Sequence, residues 1–363
     1  MSLAYKRIIV KIGSNVLTQD NGLPDTARIQ HLVDQLAALK KQGREVIVVS
    51  SGAVASGRSL VQVSDKADAV TSRQLLAAVG QVKLLTTYAT LFSQHDLVCA
   101  QVLVTKEDFR DRVHYLNMQN CFGALLQNNI IPIVNENDVI SVTELMFTDN
   151  DELAGLIASM LNADALLILS NVNGIYNGNP KDPSSELIQE IEPTTTSFSS
   201  FVTTQRSQFG RGGMITKCHM AHKVAQLGIA VHIANGKTEN VLPRLLSGEV
   251  ENTRFIPNKI ASGKKKWIAH SETAVKGVIH INEGAKAALT TPGKAISLLP
   301  VGITHITGEF QKGDIIKLVD EHQKPVGLGL AEYGSEKAME RIGQKNQKPL
   351  VHYDYLFLNT EIS

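Results

Sequence analysis

This sequence of 363 residues contains few cysteines and has little excess charge of either sign. The three cysteines, Cys99, Cys121 and Cys218, are odd in number and form no CxxC pair, which favours a reducing compartment over a disulfide framework. The formal net charge is only +1, which argues against a general binder of nucleic acids or membrane surfaces. No signal peptide is evident, and no apolar run approaches the roughly 18 to 20 residues needed to cross a bilayer. We therefore expect a cytoplasmic protein without a membrane segment.

Two common nucleotide-binding signatures are missing as well. No GxxxxGK[ST] of a Walker A loop occurs, and no GxGxxG follows the first predicted strand, so neither a P-loop nor a dinucleotide-binding Rossmann site is expected. Cys218, His219 and His222 lie close together and raise the question of a metal. Two histidines about one helical turn apart are more often packing or surface residues, and we predict no metal site.

The patterning that is present predicts two domains. The apolar runs Arg7–Ile12 and Glu45–Val49 flank an amphipathic helix, a strand–helix–strand unit that implies a parallel sheet covered by helices. After a polar, basic stretch, short strands separated by Gly and Asp turns begin at Lys276. We expect an α/β domain over residues 1–257, a linker over 258–275 and a small β-rich domain over 276–358.

The segment Asn135–Asp151, NENDVISVTELMFTDND, concentrates carboxylates and carboxamides. It leaves a buried strand and is expected to cap the next helix, with a hairpin over residues 139–148. Such a cluster is costly to desolvate unless it meets cations or hydrogen-bond donors. Lys11, at the end of the first strand, and Lys217 are placed to supply that charge, although Lys11 taken alone is equally compatible with a snorkelling surface lysine.

Two glycine-containing segments are candidates for binding an anion. Ser50–Gly57 reads SSGAVASG, and Gly210–Lys217 reads GRGGMITK directly before a helical pattern. Small residues let backbone N–H groups approach a ligand, and a helix N-terminus attracts negative charge. A serine N-cap with packing glycines would also explain the first segment. The turn-rich loop 170–183 could hold a nucleotide base, and 192–209 is expected to be a mobile loop.

Together these features suit the transfer of a phosphoryl group. That chemistry needs little covalent help from the protein, but it does need in-line positioning and cations that match the charge on the transferring group. Mg²⁺ would be carried mainly by the nucleotide phosphates, since it retains waters and takes few protein carboxylates.

Six segments carry a family resemblance in order and spacing: IIVKIGSNVL, VIVVSSGAVASG, RQLLAAVGQ, PIVNENDVI, FTDNDELAGLIA and GRGGMITK. They closely resemble the amino acid kinase family, and within it the branch that phosphorylates the γ-carboxylate of glutamate in proline biosynthesis. The C-terminal segments GVIHINEGAKAAL, SLLPVGI and GEFQKGDIIKLV resemble a PUA domain. The resemblance implies a three-layer αβα sandwich, ATP with Mg²⁺, L-glutamate as acceptor, L-proline as a feedback inhibitor and a homodimer or homotetramer.

The resemblance also assigns roles to residues. Lys11 and Lys217 would contact the transferring phosphoryl group and Asp151 would hold the two lysines in register. The residues implied to bind or support glutamate are Ser51, Gly52, Asn135, Asp138, Asp149 and Asn150. Those implied to bind ATP, besides the two lysines, are Ser170, Asn171, Tyr176, Arg211, Gly212, Gly213, Met214, Ile215 and Thr216.

The chain departs from the family pattern on the nucleotide side. Ser170-Asn171 stands where most relatives have Thr-Asp, and Arg211 stands where threonine is usual. These changes remove one negative charge and add one positive charge. Three other readings stay open at this point: a kinase for another small acid or carbamate, an RNA-binding protein built around the PUA domain, and a degenerate kinase that acts as a sensor.

Overall fold

The computed structural model describes residues 3–64, 68–140, 147, 149–180, 182–195, 198, 213–258, 268–269, 275–291 and 296–358. The chain divides into two compact units, Met1–Ile260 and Ala261–Ser363. The predicted hairpin over 139–148, the mobile loop over 192–209 and the linker over 258–275 fall largely outside the described residues.

The larger unit is built on an eight-stranded sheet with the order β3-β4-β2-β1-β5-β9-β10-β8. Its strands are β1 Arg7–Ile12, β2 Glu45–Ser50, β3 Cys99–Val104, β4 Ile131–Glu136, β5 Ala165–Ser170, β8 Glu190–Ile191, β9 Ala230–Asn235 and β10 Asn252–Phe255, while β6 Ile175–Tyr176 and β7 Leu187–Ile188 form a separate ribbon. Within the eight-stranded sheet, only the β9–β10 pairing is antiparallel among the described pairings. This confirms the predicted mainly parallel sheet.

Helices account for most of the remaining described chain of this unit. They are α1 Ser14–Leu17, α2 Thr26–Lys41, α3 Ala53–Arg58, α4 Ala69–Ser93, α5 Arg112–Gln127, α6 Asn150–Met160, α7 Met214–Gln226 and α8 Val241–Ser247, with a 3-10 turn at Glu107–Phe109. The central strand β1 reads RIIVKI and is buried from its second residue onward, as expected for a parallel strand covered on both faces. The hydrophobic core packs α2, α4 and α8 against the sheet, around side chains such as Leu36, Phe92 and Leu245.

The smaller unit has its own five-stranded sheet and its own hydrophobic core. Its strands are β11 Val275–Ile281, β12 Ile303–Thr307, β13 Ile315–Val319, β14 Pro325–Leu330 and β15 Leu356–Leu358, in the order β12-β11-β13-β14-β15. Two helices, α9 Glu283–Thr290 and α10 Ser335–Glu340, accompany them, with 3-10 turns at Pro300–Gly302 and Tyr353–Tyr355. In the sequence, the apolar runs 278–281, 315–319 and 326–330 predict strands and 283–289 predicts a helix, which match β11, β13, β14 and α9, whereas the edge strands β12 and β15 were not predicted.

Two details at strand ends differ from the sequence-based expectation. β4 continues through Asn135 and Glu136, because both residues pair with the edge strand β3; the cluster thus begins inside the sheet rather than after it. The sequence Gly13-Ser14-Asn15 after the first strand predicts a tight turn, but Ser14 starts the short helix α1. Both differences come from long-range pairing and packing that local propensity does not contain.

Helix α4 requires a comment, because it alone among the described helices is long and apolar enough to pass a length-and-composition test for a membrane span. The sequence-based prediction concerned an uninterrupted apolar run, and α4 is interrupted by polar residues such as Arg73, Gln81 and Lys83. Buried core helices of globular domains pass the same test, and α4 packs Leu84, Tyr88 and Phe92 into the core of the larger unit.

Helices α3 and α4 approach so closely that a glycine is needed at their crossing. A Cβ on Gly80 of α4 would lie 1.8 Å from the backbone oxygen of Ala53 in α3, and one on Gly57 of α3 would lie 2.0 Å from the backbone oxygen of Leu76. Backbone atoms cannot be displaced as a flexible side chain can. The crossing holds α4 beside the loop at the end of β2, which contributes to the site described below.

We predict that Gly80→Ala destabilises the protein, because the added methyl group would force the two helices apart. Overpacking of this kind typically costs about 1–3 kcal/mol. The matched control is Gly123→Ala in α5, where a Cβ would meet nothing within 4 Å and where alanine is the better helix former by up to about 1 kcal/mol. Urea unfolding measures both variants; a Gly80→Ala midpoint equal to the wild-type value would contradict the close-contact argument.

Candidate active site

The carboxyl ends of parallel strands bring the predicted site residues to one edge of the sheet. Lys11 pairs in register with Val49 of β2 and Ile168 of β5, so the ends of these three strands lie side by side. The chain continues from β1 to β2 on one side, whereas β5 and the later strands β8, β9 and β10 lie on the other side of β1. Open α/β sheets bind ligands at such a switch point.

Lys11 and Lys217 converge on one carboxylate. Lys11 Nζ lies 2.6 Å from Asp151 Oδ1, and Lys217 Nζ donates a hydrogen bond to Asp151 Oδ2. Lys11 is the penultimate residue of β1, Asp151 lies in the first turn of α6 and Lys217 lies on α7, and all three side chains are buried. The structure thus brings together the three residues that the sequence analysis singled out as catalytic.

The ionisation of this cluster follows from burial and mutual charge. Burial raises the pKa of Asp151, but Lys11 and Lys217 outweigh it and hold that pKa well below its usual range. Burial also lowers the pKa of Lys217, yet Asp151 and Asp149 more than compensate and raise it. For Lys11 burial dominates, helped by the repulsion of Lys217, and its pKa is lowered. A buried site with two basic groups and one firmly ionised carboxylate attracts anions.

Glycine gives this cluster an open approach on the β1 side. Gly13 follows Lys11 by two residues, and a Cβ at Gly13 would lie 3.1 Å from the Leu169 oxygen and 3.7 Å from Lys11 Nζ. A side chain there would press against the Leu169 carbonyl oxygen and lie in contact with the ammonium group. The turn after β1 is therefore shaped for close contact between Lys11 and a ligand.

Asp149 performs the capping role expected for it. As the N-cap of α6, its carboxylate accepts from the backbone N–H groups of Asp151 at 2.9 Å and Glu152 at 3.1 Å. Burial, and then the neighbouring charge of Asp151, raise the pKa of Asp149. This cap fixes the helix turn that carries both Asn150 and Asp151.

Hydrogen bonds between three side-chain amides and one hydroxyl group link four further polar residues, which form the amide chain: Gln81, Asn135, Asn150 and Ser51. Asn150 Nδ2 lies 3.0 Å from both Ser51 Oγ and Asn135 Oδ1, and Asn135 Nδ2 lies 3.0 Å from Gln81 Oε1. Ser51 follows β2 and is succeeded by Gly52, whose φ of 109° is in the left-handed region that favours glycine. The structure therefore brings Ser51, Asn135 and Asn150 into one hydrogen-bonded group.

Asp138 is paired with a residue that the sequence analysis overlooked. Arg73 on α4 approaches Asp138 Oδ1 with Nη2 at 2.5 Å and with Nε at 3.2 Å. Burial raises the pKa of Asp138, and Arg73 partly offsets that rise. A neighbouring hydrogen bond from Gln74 to the Val139 oxygen, at 2.7 Å, ties the same helix to the turn after β4.

The predicted nucleotide-side residues lie along β5, β6 and α7. Ser170 ends β5, Asn171 is exposed directly after it, and Tyr176 lies in the β6–β7 ribbon. Gly213 is the N-cap of α7, followed in the first turn by Met214, Ile215 and Thr216. The backbone N–H groups of a first helical turn have no partner within the helix, which suits them to bind phosphate. Arg211 and Gly212 lie outside the described residues.

The histidines near Lys217 have packing roles. His222 Nε2 lies 3.0 Å from the Pro193 oxygen, and the rings of His219 and His222 both contact Phe198 edge-on. Within the described ranges no group of three or more His, Cys, Asp or Glu side chains is arranged to hold a metal ion. Asp151 and Asp149 are already engaged by ammonium and backbone N–H groups, so they leave no free carboxylate pair for one.

Arg73 and Gln81 were missed because the motif RQLLAAVGQ reads as a packing helix. The one usable signal in this motif was polarity: Arg73 and Gln81 are polar, whereas the buried residues of the helix are apolar or small. Only the long-range placement of α4 against β4 shows that they reach the cluster.

We predict that Asp151→Asn lowers the free energy of unfolding by about 3 kcal/mol at neutral pH, because it leaves two buried ammonium groups without a counter-charge. The wild-type contribution is present at neutral pH and lost only in strong acid, since the folded pKa of Asp151 lies below its unfolded value. The deficit of the variant should shrink as the pH rises towards the lysine range.

The control for that experiment is the double variant Asp151→Asn with Lys217→Met, which removes one of the two uncompensated charges. It should recover part of the lost stability in urea unfolding. Asp151→Asn unfolding at the wild-type midpoint across the pH range would contradict the ion-triad interpretation.

Comparison with known proteins places this geometry in a family. The amino acid kinase family model matches residues 6–235, and the PUA domain model matches residues 277–353. A glutamate 5-kinase of Chlorobaculum tepidum is 52% identical over 98% of this chain and 98% of its own length. A glutamate 5-kinase of Bacteroides thetaiotaomicron is 54% identical over 99% of this chain and 100% of its own length.

Among solved structures, carbamate kinase from Giardia lamblia bound to AMP-PNP has a similar fold, with a TM-score of 0.51 at 20% identity. The match covers 70% of this chain and 99% of that one. At that identity the likeness concerns the fold alone. With a family model across more than half of its residues and relatives above 50% identity along nearly its full length, the chain belongs to the amino acid kinase family.

Proposed function

We propose that the protein transfers the γ-phosphoryl group of ATP to the γ-carboxylate of L-glutamate, forming L-glutamyl 5-phosphate and ADP, the first step of proline biosynthesis. The observation that carries the proposal is the convergence of Lys11 and Lys217 on Asp151 at the carboxyl ends of parallel strands. Relatives named glutamate 5-kinase, similar over nearly the whole chain, support the choice of acceptor.

The chemistry needs positioning and positive charge rather than a general base. The γ-carboxylate of glutamate is ionised at neutral pH, so one of its oxygens attacks the γ-phosphorus directly. The new bond joins that oxygen to phosphorus, the bond from phosphorus to the β,γ-bridging oxygen breaks, and its electron pair leaves with ADP. No proton has to move in this step. Charge on the transferring group is then the main barrier for the protein to lower.

Lys11 and Lys217 supply that charge. We assign Lys11 to the transferring phosphoryl group from the β1 side, where Gly13 leaves room, and Lys217 to the same group from the α7 side. Asp151 keeps the two ammonium groups close together without neutralising both of them. Preorganised charge in a buried site costs no rearrangement during the reaction, and single groups of this kind are typically worth about 3–4 kcal/mol.

Glutamate is assigned to the amide and hydroxyl side of the cluster. Ser51, the Gly52 backbone, Asn135 and Asn150 face the acceptor, and Asp149 supports them through the cap of α6. Asp138 is assigned to the α-ammonium group, because a buried carboxylate favours a cation. Arg73 occupies Asp138 in this structure, so acceptor binding would shift it from that carboxylate or share the carboxylate with it.

ATP is assigned to the opposite side. Its phosphates would lie at the first turn of α7, on the backbone from Gly213 to Thr216 together with Arg211 and Gly212. Its base and ribose would lie near Ser170, Asn171 and Tyr176. Mg²⁺ would arrive on the nucleotide and supply further charge to the phosphates, in keeping with the lack of a free carboxylate pair in the described site.

The proposed function also includes a feedback inhibitor and an oligomeric assembly. L-proline would compete with glutamate at the acceptor side as a feedback inhibitor. Exposed apolar side chains, among them Val82 on α4 and Val98 next to β3 at 69% and 63% exposure, suit contacts in a homodimer or homotetramer. The three unpaired cysteines fit a cytoplasmic location.

A panel of acceptors tests the proposed reaction. ADP formation from MgATP is measured with glutamate, aspartate, acetylglutamate and carbamate, and glutamate should be turned over with the highest kcat/KM. The Lys217→Met variant serves as the control for contaminating kinases and should lose at least about 100-fold in kcat/KM. The proposal is wrong if another acid is turned over while glutamate is not.

A further inference from the structure

We propose that Gln81 is a positioning residue for the acceptor: it anchors the nitrogen end of the hydrogen-bonded amides, whose direction the Glu136 backbone N–H sets, so that Ser51 presents its hydroxyl proton to the carboxylate of the bound amino acid. The proposal rests on the proposed function and goes beyond it, because Gln81 lies on α4 and acts through Asn135 and Asn150 rather than by touching the acceptor.

One backbone N–H group determines which way the side-chain amide of Asn135 faces. The N–H of Glu136 lies 2.9 Å from Asn135 Oδ1. A backbone N–H can only donate, so the oxygen of the Asn135 side chain must face it and the nitrogen must face the other way. This removes the ambiguity that an isolated asparagine amide would have.

The same reasoning determines which atoms donate and which accept in the hydrogen bonds between Asn135 and Ser51. Since Asn135 presents its oxygen, Asn150 must use Nδ2 to donate to it at 3.0 Å. Asn150 Nδ2 also lies 3.4 Å from the Ser50 carbonyl oxygen, which can only accept. Ser51 Oγ, 3.0 Å from the same nitrogen, is therefore an acceptor and keeps its own proton to donate. An anionic oxygen of a bound amino acid is the partner that such a proton suits.

The other end of the chain is Gln81. Asn135 Nδ2 donates to Gln81 Oε1 at 3.0 Å, so the Gln81 nitrogen must point away from Asn135. That Nε2 atom is buried, and the described part of the chain offers it no hydrogen-bond partner. A buried donor left unpaired costs free energy, so stability alone does not explain a glutamine here.

Helix packing explains how Gln81 reaches this position. Gly80, its neighbour, allows the backbone of α4 to contact Ala53 of α3. Gln81 thereby comes to line a pocket of about 400 Å³ together with Glu136, Asn137 and Asp138, at the end of β4. One close helix crossing thus places the last acceptor of the amide chain.

The test compares two substitutions at Gln81. Gln81→Met removes the oxygen that Asn135 donates to, so the Asn135 nitrogen loses its partner and the amides lose their anchor at this end. The glutamate KM should rise about tenfold, while the ATP KM stays within about twofold of wild type. Gln81→Glu keeps an accepting oxygen at the same place, replaces the unpaired donor by a second oxygen and adds a negative charge. Its glutamate KM should stay within about threefold of the wild-type value.

The matched control is Gln35→Met, which also removes a buried glutamine oxygen, in this case one that accepts from the Leu242 backbone N–H at 2.9 Å in the α2–α8 contact. Its stability should fall while both KM values remain those of wild type. A merely structural role for Gln81 would make Gln81→Met behave like this control.

Three results would overturn the proposal: an unchanged glutamate KM in Gln81→Met, an equal rise in its ATP KM, or a Gln81→Glu variant as impaired as Gln81→Met, which would show that an accepting oxygen at this place is not sufficient. Failure of the proposed function looks different, because the wild-type protein itself would then fail to turn over glutamate.

Discussion

One buried carboxylate, Asp151, holds two ammonium groups that come from distant parts of the chain. Lys11 and Lys217 would repel each other in a desolvated site, and the shared carboxylate makes their proximity tolerable. Two lysines and one aspartate leave a net positive charge, which a migrating phosphoryl group can use. The remaining architecture of the larger unit serves to bring these three side chains to one point.

The parallel sheet does most of that work. Parallel strands end at a common edge, so β1, β2, β4 and β5 deliver a lysine, a serine, an asparagine and the nucleotide-side turn to the same place. The helix cap of Asp149 orients the first turn of α6, so that Asn150 reaches the amide chain while Asp151 reaches the lysines. In the proposed reaction, binding of the acceptor and activation of the phosphoryl group would depend on adjacent residues of one helix turn.

Much of this was predictable because the signals are local. A lysine at a strand end before a glycine, an NEND segment after an apolar strand and DND before a helix can each be recognised within a few residues, and their charges show that they need one another. Arg73 and Gln81 could not be predicted in this way. Their roles depend on the crossing of α3 and α4 at Gly80 and on the distance from α4 to β4. Neither of these two features can be predicted from the local sequence. The same holds for Asn135 and Glu136, which belong to β4 only because β3 pairs with them.

The most direct test is a crystal structure with ADP, Mg²⁺, glutamate and a planar fluoride mimic of the transferring phosphoryl group. The account predicts that Lys11 Nζ and Lys217 Nζ both lie within hydrogen-bonding distance of that mimic, with a γ-carboxylate oxygen of glutamate in line with it. A mimic contacted by neither lysine, or two lysines directed to separate ligands, would contradict the central claim.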